Sequence, residues 1–460
     1  MHIRGKYKVK MLKNRLVIIG IVIVIIVAIC IYPVLSKKCL KSRDSNTLTI
    51  YALAYNGKLN YDIEPVVNEF KEKYPNIKLN IVEFNSDGGG YEKYNEKISS
   101  DTLAGEGPDI IYFDPENTNA RAFQKSGMLE DLKPYIEKDK EFNKEDYNPK
   151  LLNAGIYKGK LTFIPTDYCV PAYITTKELL EKNNIKITEN MSQNDFINSL
   201  NKYISSTKSS NGKTLFAKSV DIGDFIASSG FECVDYENKK MYFSTNEFKN
   251  IMENYKKIYN STPKPANNES GEEGIRGIKD GSTLFSIDKI YTGGEEFWDS
   301  ESAIKGTTGQ TQIINSFPTY KGDNKTIAIA GDLIGMSKKT LNKKAAYNFI
   351  KLALSEKIQC GEKDYMPPIN KKSQIDIKNS YLKEEVGKAD KTEKVILNGP
   401  SDDLNKYYDR ITNNVDEVRI LDTNLDKLIK ECMTPYFEDK SSYDSALETL
   451  ENKVKLYINE

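Results

Sequence analysis

The chain runs to 460 residues, 39% of them apolar and 29% charged, too long for one small core and sufficient for two or three domains. Its 66 basic side chains balance 66 acidic ones, so the summed field offers nothing to a polyanion such as nucleic acid. Histidine occurs only as His2, ahead of any predicted domain, which excludes imidazole zinc sites and histidine general-base chemistry.

Arg4, Lys6, Lys8, Lys10, Lys13 and Arg15 precede residues 16–35, twenty positions without a charge. A helix of that length crosses a hydrocarbon core of about 30 Å. The lack of a small-x-small exit before Lys37 favours retention over cleavage. Residues 1–45 therefore read as a cytoplasmic basic tail, a membrane anchor and a short linker, with the body on the extracellular face. Val27-Ala28-Ile29-Cys30 resembles a lipoprotein box with Ile29 in the place of a small residue, which makes Cys30 a lipidation candidate. The six cysteines, Cys30, Cys39, Cys169, Cys233, Cys360 and Cys432, show no C-x-x-C spacing, so neither a metal ribbon nor a dense disulfide scaffold is indicated. A bridge among the last four stays open, because spacing alone does not fix the Cα distance.

From Asn46 the pattern is strand, helix, strand. Leu48, Ile50 and Ala52 alternate with polar or aromatic neighbours, and Ile63, Val66, Val67, Phe70 and Tyr74 fall on one helical stripe that Pro75 ends. Ile77, Leu79 and Ile81 alternate as a second strand, Gly88-Gly89-Gly90 makes a loop, and a helical run reaches Gly105 before the apolar strand 110–113. The order βαβαβ predicts an α/β fold with a mostly parallel sheet, in which ligands sit at the carboxyl ends of strands. Residues 55–59, 85–91 and 113–119 are the loops at those ends. The triple glycine lacks a P-loop's lysine and spacing and reads as a flexible loop. Asp109, just before a buried strand, reads as a loop cap.

Lys73-Tyr74-Pro75-Asn76-Ile77-Lys78-Leu79 and Gly105-Glu106-Gly107-Pro108-Asp109-Ile110-Ile111 resemble two signatures of the family 1 extracellular solute-binding proteins, the maltose-binding-protein-like sugar receptors of ABC transporters. Others follow in the family's order: Ser126-Gly127-Met128-Leu129-Glu130-Asp131-Leu132, Gly159-Lys160-Leu161-Thr162-Phe163-Ile164-Pro165, and Gly331-Asp332-Leu333-Ile334-Gly335-Met336-Ser337. Ala345-Ala346-Tyr347-Asn348-Phe349-Ile350 with Gln359, and Met366-Pro367-Pro368, continue the similarity, which spans nearly the whole body. One segment departs: around Thr188 and Asp195-Phe196 the family's Pro and Trp are both missing.

The resemblance implies a two-lobed fold of the type II periplasmic-binding-protein kind, with a hinge. Lobe one would comprise residues 46–165 plus 319–370, and lobe two 166–318 plus 371–460, with crossovers at Ile164-Pro165-Thr166 and Ser316-Phe317-Pro318. It implies a monomeric extracytoplasmic receptor that hands a solute to ABC permease subunits, with no catalysis and no cofactor. A carbohydrate is the expected ligand, since aromatic floors and planar polar groups suit its ring faces and hydroxyls. Expected ligand contacts are Tyr55, Asn56, Phe113, Asp114, Glu116 and Asp332 on lobe one, Asp167 and Tyr168 near the hinge, and Tyr291, Trp298, Tyr407 and Tyr408 on lobe two. A sensor presenting its closed form to a membrane kinase would share this cleft, and a secreted glycoside-acting enzyme would need two carboxylates flanking a bond.

Overall fold

The computed structural model describes residues 45–459 apart from 56, 60–62, 86–88, 210–211, 264–270, 287–300, 302–303, 307, 362–365 and 389–400. The expected membrane anchor and Cys30 lie outside these residues, as do Asn56, Tyr291 and Trp298. Among the described residues no helix is long and apolar enough to cross a membrane. Contacts divide the chain after Thr47, and the architecture below is that of the unit from Leu48 onward.

The apolar stripe ahead of Pro75 forms the helix Glu64–Lys73, which buries Val66, Val67 and Phe70 and is capped by Tyr74. The first strands in chain order are β1 (Thr47–Tyr55), β2 (Lys58–Leu59), β3 (Lys78–Asn85), β4 (Ile110–Phe113), β5 (Gly155–Tyr157), β6 (Lys160–Pro165) and β7 (Tyr168–Cys169). Then come β8 (Ala172–Thr176), β9 (Thr214–Phe216), β10 (Val234–Asp235), β11 (Lys240–Met241), β12 (Thr283–Phe285) and β13 (Gln312–Ser316). Last are β14 (Ile327–Ala330), β15 (Leu333–Met336) and β16 (Glu417–Arg419).

Lobe one is built on a seven-stranded sheet of order β2-β1-β4-β15-β6-β5, with β3 also pairing β1. β1 and β4 run parallel, but β15 is antiparallel to both β4 and β6. The sheet is therefore mixed where a mostly parallel one is predicted, because β15 returns from a distant segment instead of through a crossover helix. Successive residues of β4 serve opposite faces. Ile110 and Tyr112 pack with Leu48, Ile50 and Phe70, while Ile111 and Phe113 pack with Ile98, Phe123 and Phe163. Such a strand, covered on both sides, reads as an unbroken apolar run.

In lobe two β8 pairs antiparallel with β13, β12 pairs parallel with β9, and a bridge from Ile174 to Ser286 joins the two pairs. Its core is aromatic: Tyr173, Phe196, Phe216, Phe285 and Phe317 have neighbouring ring centroids 4.9 to 6.0 Å apart. Phe196, in the segment that departs from the family's pattern, is wholly buried here, so that segment still supplies a core ring.

The lobes are joined by β7 and β14, antiparallel through Tyr168 with Ala330, with β16 parallel on the far side of β14. It is β14, and not Ser316-Phe317-Pro318, that runs beside β7. Phe317 is held back by the ring cluster of lobe two, and the Tyr320 amide donates to Ser229 O there. No disulfide joins Cys169, Cys233, Cys360 and Cys432.

Candidate ligand-binding site

β1 and β4 end at the same edge of the lobe-one sheet, where antiparallel β15 begins and β6 also ends: Leu333 lies opposite both Phe113 and Pro165. Tyr55 as the last residue of β1, Asp114 just past β4, Asp332 just before β15 and Asp167 two residues past β6 are therefore brought to one edge by register. This is the carboxyl edge of an α/β sheet, where ligands bind.

Asp114 is the centre of a closed polar triangle. Its Oδ2 accepts from Tyr91 Oη at 3.3 Å and from Asn117 Nδ2 at 2.6 Å, and Asn117 Nδ2 also donates to Tyr91 Oη at 2.7 Å. The Glu116 amide donates to Asp114 Oδ1 at 2.7 Å, closing the turn. Burial pushes the Asp114 carboxyl above the usual carboxylate range, against the Glu116 amide; the Glu116 charge adds to the rise, and Asn117 and Tyr91 oppose it. Burial first, then Asp114 and Asp332, drive the Tyr91 phenol far above its ordinary value, so it stays an O–H donor. Asp332 accepts from Tyr112 Oη at 2.7 Å. Tyr55, at the β1 end, stands 44% exposed and acts electrostatically on Tyr91.

Other expected contacts sit elsewhere. Phe113 is 1% exposed, with rings Phe123 and Phe163 each 5.1 Å away, and Tyr168 is 0% exposed, donating to Ile411 O at 3.0 Å. Tyr408 donates to Gln374 O at 3.1 Å, and Tyr407 bonds Ser316 Oγ at 3.1 Å. These four rings are core residues: Phe113 is enclosed by its two ring neighbours, and Tyr407 and Tyr408 lie on the helix Asp402–Asn413, which packs between β13 and the helix Lys371–Lys388 and whose Ile411 receives Tyr168. Asp167 is buried too: Oδ1 accepts the Asp332 amide at 3.1 Å and Oδ2 the Thr166 hydroxyl at 2.7 Å. Its closeness requires glycine at 331, where a Cβ would lie 1.8 Å from Asp167 Oδ1. Glu116 is exposed beside the triangle.

Sequence reasoning missed Tyr91, Asn117 and Tyr112. Tyr91 stood at the end of a loop already marked by its place, and Asn117 carries the signal of an amide three residues after an aspartate in a turn. Asp109 does the structural work read from the sequence: its Oδ2 accepts the Thr49 amide at 2.7 Å, and its own amide donates to Thr49 O at 2.8 Å. Among the described residues no group of acidic, cysteine or histidine side chains is arranged to hold a metal ion. What the edge offers is a carboxylate, a neutral phenol, an amide and an exposed ring, a set that exchanges hydrogen bonds with a polar solute.

Residues 66–379 match the family described as bacterial extracellular solute-binding protein. The chain belongs to that family. Among solved structures, the sugar-binding protein MalE of Xanthomonas citri is similar at 14% identity and a TM-score of 0.61, over 90% of this chain and 97% of that one. The ABC substrate-binding protein of Listeria monocytogenes in complex with cycloalternan is 16% identical, with a TM-score of 0.56, over 90% and 99% of the two chains. The GacH receptor of Streptomyces glaucescens, with structures unliganded and in complex with acarbose and a homolog, gives 16%, 0.56, 90% and 98%. This extracellular solute-binding protein shares their two-lobed α/β fold, and its family places it outside the cytoplasm.

Proposed function

We propose that this solute-binding protein is the receptor of an ABC importer, taking a carbohydrate into the groove between its lobes and closing on it about β7 and β14. The observation that carries the reading is the polar edge of Tyr55, Tyr91, Asp114, Asn117 and Asp332, at the end of the lobe-one sheet where β6 leads into β7 and β14 leads into β15. Sugar hydroxyls exchange water for such planar groups, and an exposed tyrosine suits an apolar ring face. The carbohydrate ligands of the Listeria and Streptomyces proteins, and the cyclic maltosyl-maltose bound by a similar protein of Arthrobacter globiformis, support the same class here. We assign lobe one to residues 46–165 with the segment from β15 to 370, and lobe two to the stretch up to β14 with 371–460. Tyr291 and Trp298 are proposed for the opposite wall, and residues 16–35 for the anchor that keeps the receptor beside its permease.

Closure needs a ligand that favours the closed arrangement over the open one. A thermal-shift screen of residues 46–460 against carbohydrates, polyamines and peptides tests the reading, because a solute bound only by the native state raises Tm by mass action. A carbohydrate that raises Tm and is recovered unaltered is the expected result. A response confined to polyamines or peptides overturns the ligand class, and hydrolysis of the sugar overturns the receptor role.

A further inference from the structure

The helix Ala120–Ser126 belongs to lobe one, where Ala120 and Phe123 are buried with Phe113 and Phe163. Its start reaches lobe two. Asn119 caps it by accepting the Ala122 amide at 3.0 Å and donates its own Nδ2 to Tyr457 Oη at 2.8 Å. Tyr457, on the closing helix Tyr443–Asn459, donates to Asp422 with both carboxylate oxygens at 2.8 Å, and Tyr236 donates to the same carboxylate at 2.6 Å. The Arg121 guanidinium lies 5.0 Å from the Tyr236 ring centroid. One carboxylate of lobe two therefore organises two phenols that lobe one grips.

Beside this contact lies a half-open pocket of about 200 Å³ whose walls come from both lobes, Arg121 and Ala154 on one side and the helix Thr423–Phe437 on the other. Asp426 lines it, one turn beyond Asp422 and so on the same helical face. Its carboxyl accepts no hydrogen bond from the described residues. It presses on the start of the helix Ile222–Ser229, where glycine at 223 makes room: a Cβ there would stand 2.7 Å from Asp426 Oδ2. Asp221, which caps that helix, and Asp224 face Asp426 from this side, and Asp422 faces it from its own helix. Glu232, Cys233 and Tyr236 line the pocket from the following segment. The cations in the walls are Arg419 of β16 and Arg121 of lobe one, and Tyr457 closes the junction above.

We propose that this junction is a pH-responsive joint between the lobes: neutral Asp426 lets Asp422 hold Tyr457 and Tyr236, and ionised Asp426 loosens that hold. Burial chiefly, then Asp221, Asp422 and Asp224, raise the Asp426 carboxyl to about 8. At neutral pH it is thus mostly protonated. Ionisation adds a further negative charge beside Asp221, Asp224 and Asp422, with Glu232 in the same wall, and the charge is relieved when the pocket widens and more water reaches it. Widening moves one lobe against the other, since each supplies a wall. The joint acts whatever solute the cleft takes.

Small-angle scattering and thermal unfolding of the ligand-free protein across pH, on wild type and Asp426→Asn, test it. The folded carboxyl titrates above its unfolded value of 3.8, so ionisation costs stability in a growing amount from about pH 4 to about pH 8 and a constant amount beyond. Accordingly, the Tm advantage of Asp426→Asn should widen over that window and then hold. The wild-type radius of gyration should rise with a midpoint near pH 8 and that of the variant should not. A rise that persists unchanged in Asp426→Asn overturns the proposal, as does a wild-type radius that stays flat while Tm falls. Asp221→Asn keeps a helix cap and removes one facing charge, so it should move the midpoint to lower pH; an unmoved midpoint also overturns the joint, even if Asp426→Asn fails to fold.

Discussion

Asp114 is a half-buried carboxylate held by an amide, a phenol and a backbone N–H. Its carboxyl is raised, so its charge costs stability at neutral pH, and that cost disappears as pH falls through the folded value. Asp114→Asn should therefore raise the ligand-free Tm at neutral pH and not in acid, while weakening sugar binding by roughly 10- to 100-fold, the worth of hydrogen bonds to a charged group. Unfolding curves at two pH values and titration calorimetry check both halves. Tyr168 makes the opposite case. Tyr168→Phe leaves Ile411 O and Gln374 Nε2 without the hydroxyl they share and should cost about 1–3 kcal/mol of stability with no change in affinity. The sequence marked both residues alike, because position along the chain locates a strand end but not the direction of a ring. Asp114 faces the edge because it is the first residue past β4. Tyr168 and Tyr408 are buried with Gln374, and Tyr407 with Ser316, partners that meet only in three dimensions.

Among elements, those set by local rules were legible. The helix before Pro75, the strand 110–113 and the helix ending at Gly105 all lie where periodicity and breakers place them. Pairing was not legible, since nothing local says that β15 inserts between β4 and β6, or that β14 and not residues 316–318 runs beside β7. The joint between β14 and β15 is tight. Gly331→Ala drives a methyl into the Asp167 carboxylate, so it should destabilise the protein by about 1–3 kcal/mol. Denaturant unfolding reads that loss, and Gly127→Ala, at a position with no neighbour within 4 Å but a φ of +69°, is the control for backbone strain alone.

For the whole molecule, the two lobes are not beads on a string. Lobe one's sheet is completed by a strand made after lobe two's first sheet, and lobe two's phenols reach back to lobe one through Asn119. The motifs in order were enough to expect two lobes, because a family's sequence pattern records topology. β15 sits mid-sheet, bonded on both sides. A nascent chain that has grown only to residue 330 thus carries β4 and β6 with no partner between them, and both present raw edges to solvent. Chains stopped at residue 330 should show no protected amides in β4 or β6 by hydrogen exchange, whereas chains extended through the helix Lys343–Ala353 should regain them. A polypeptide whose first sheet waits for so late a strand keeps that sheet open through most of its synthesis, the condition in which a chain can be threaded across a membrane before it has any shape to lose.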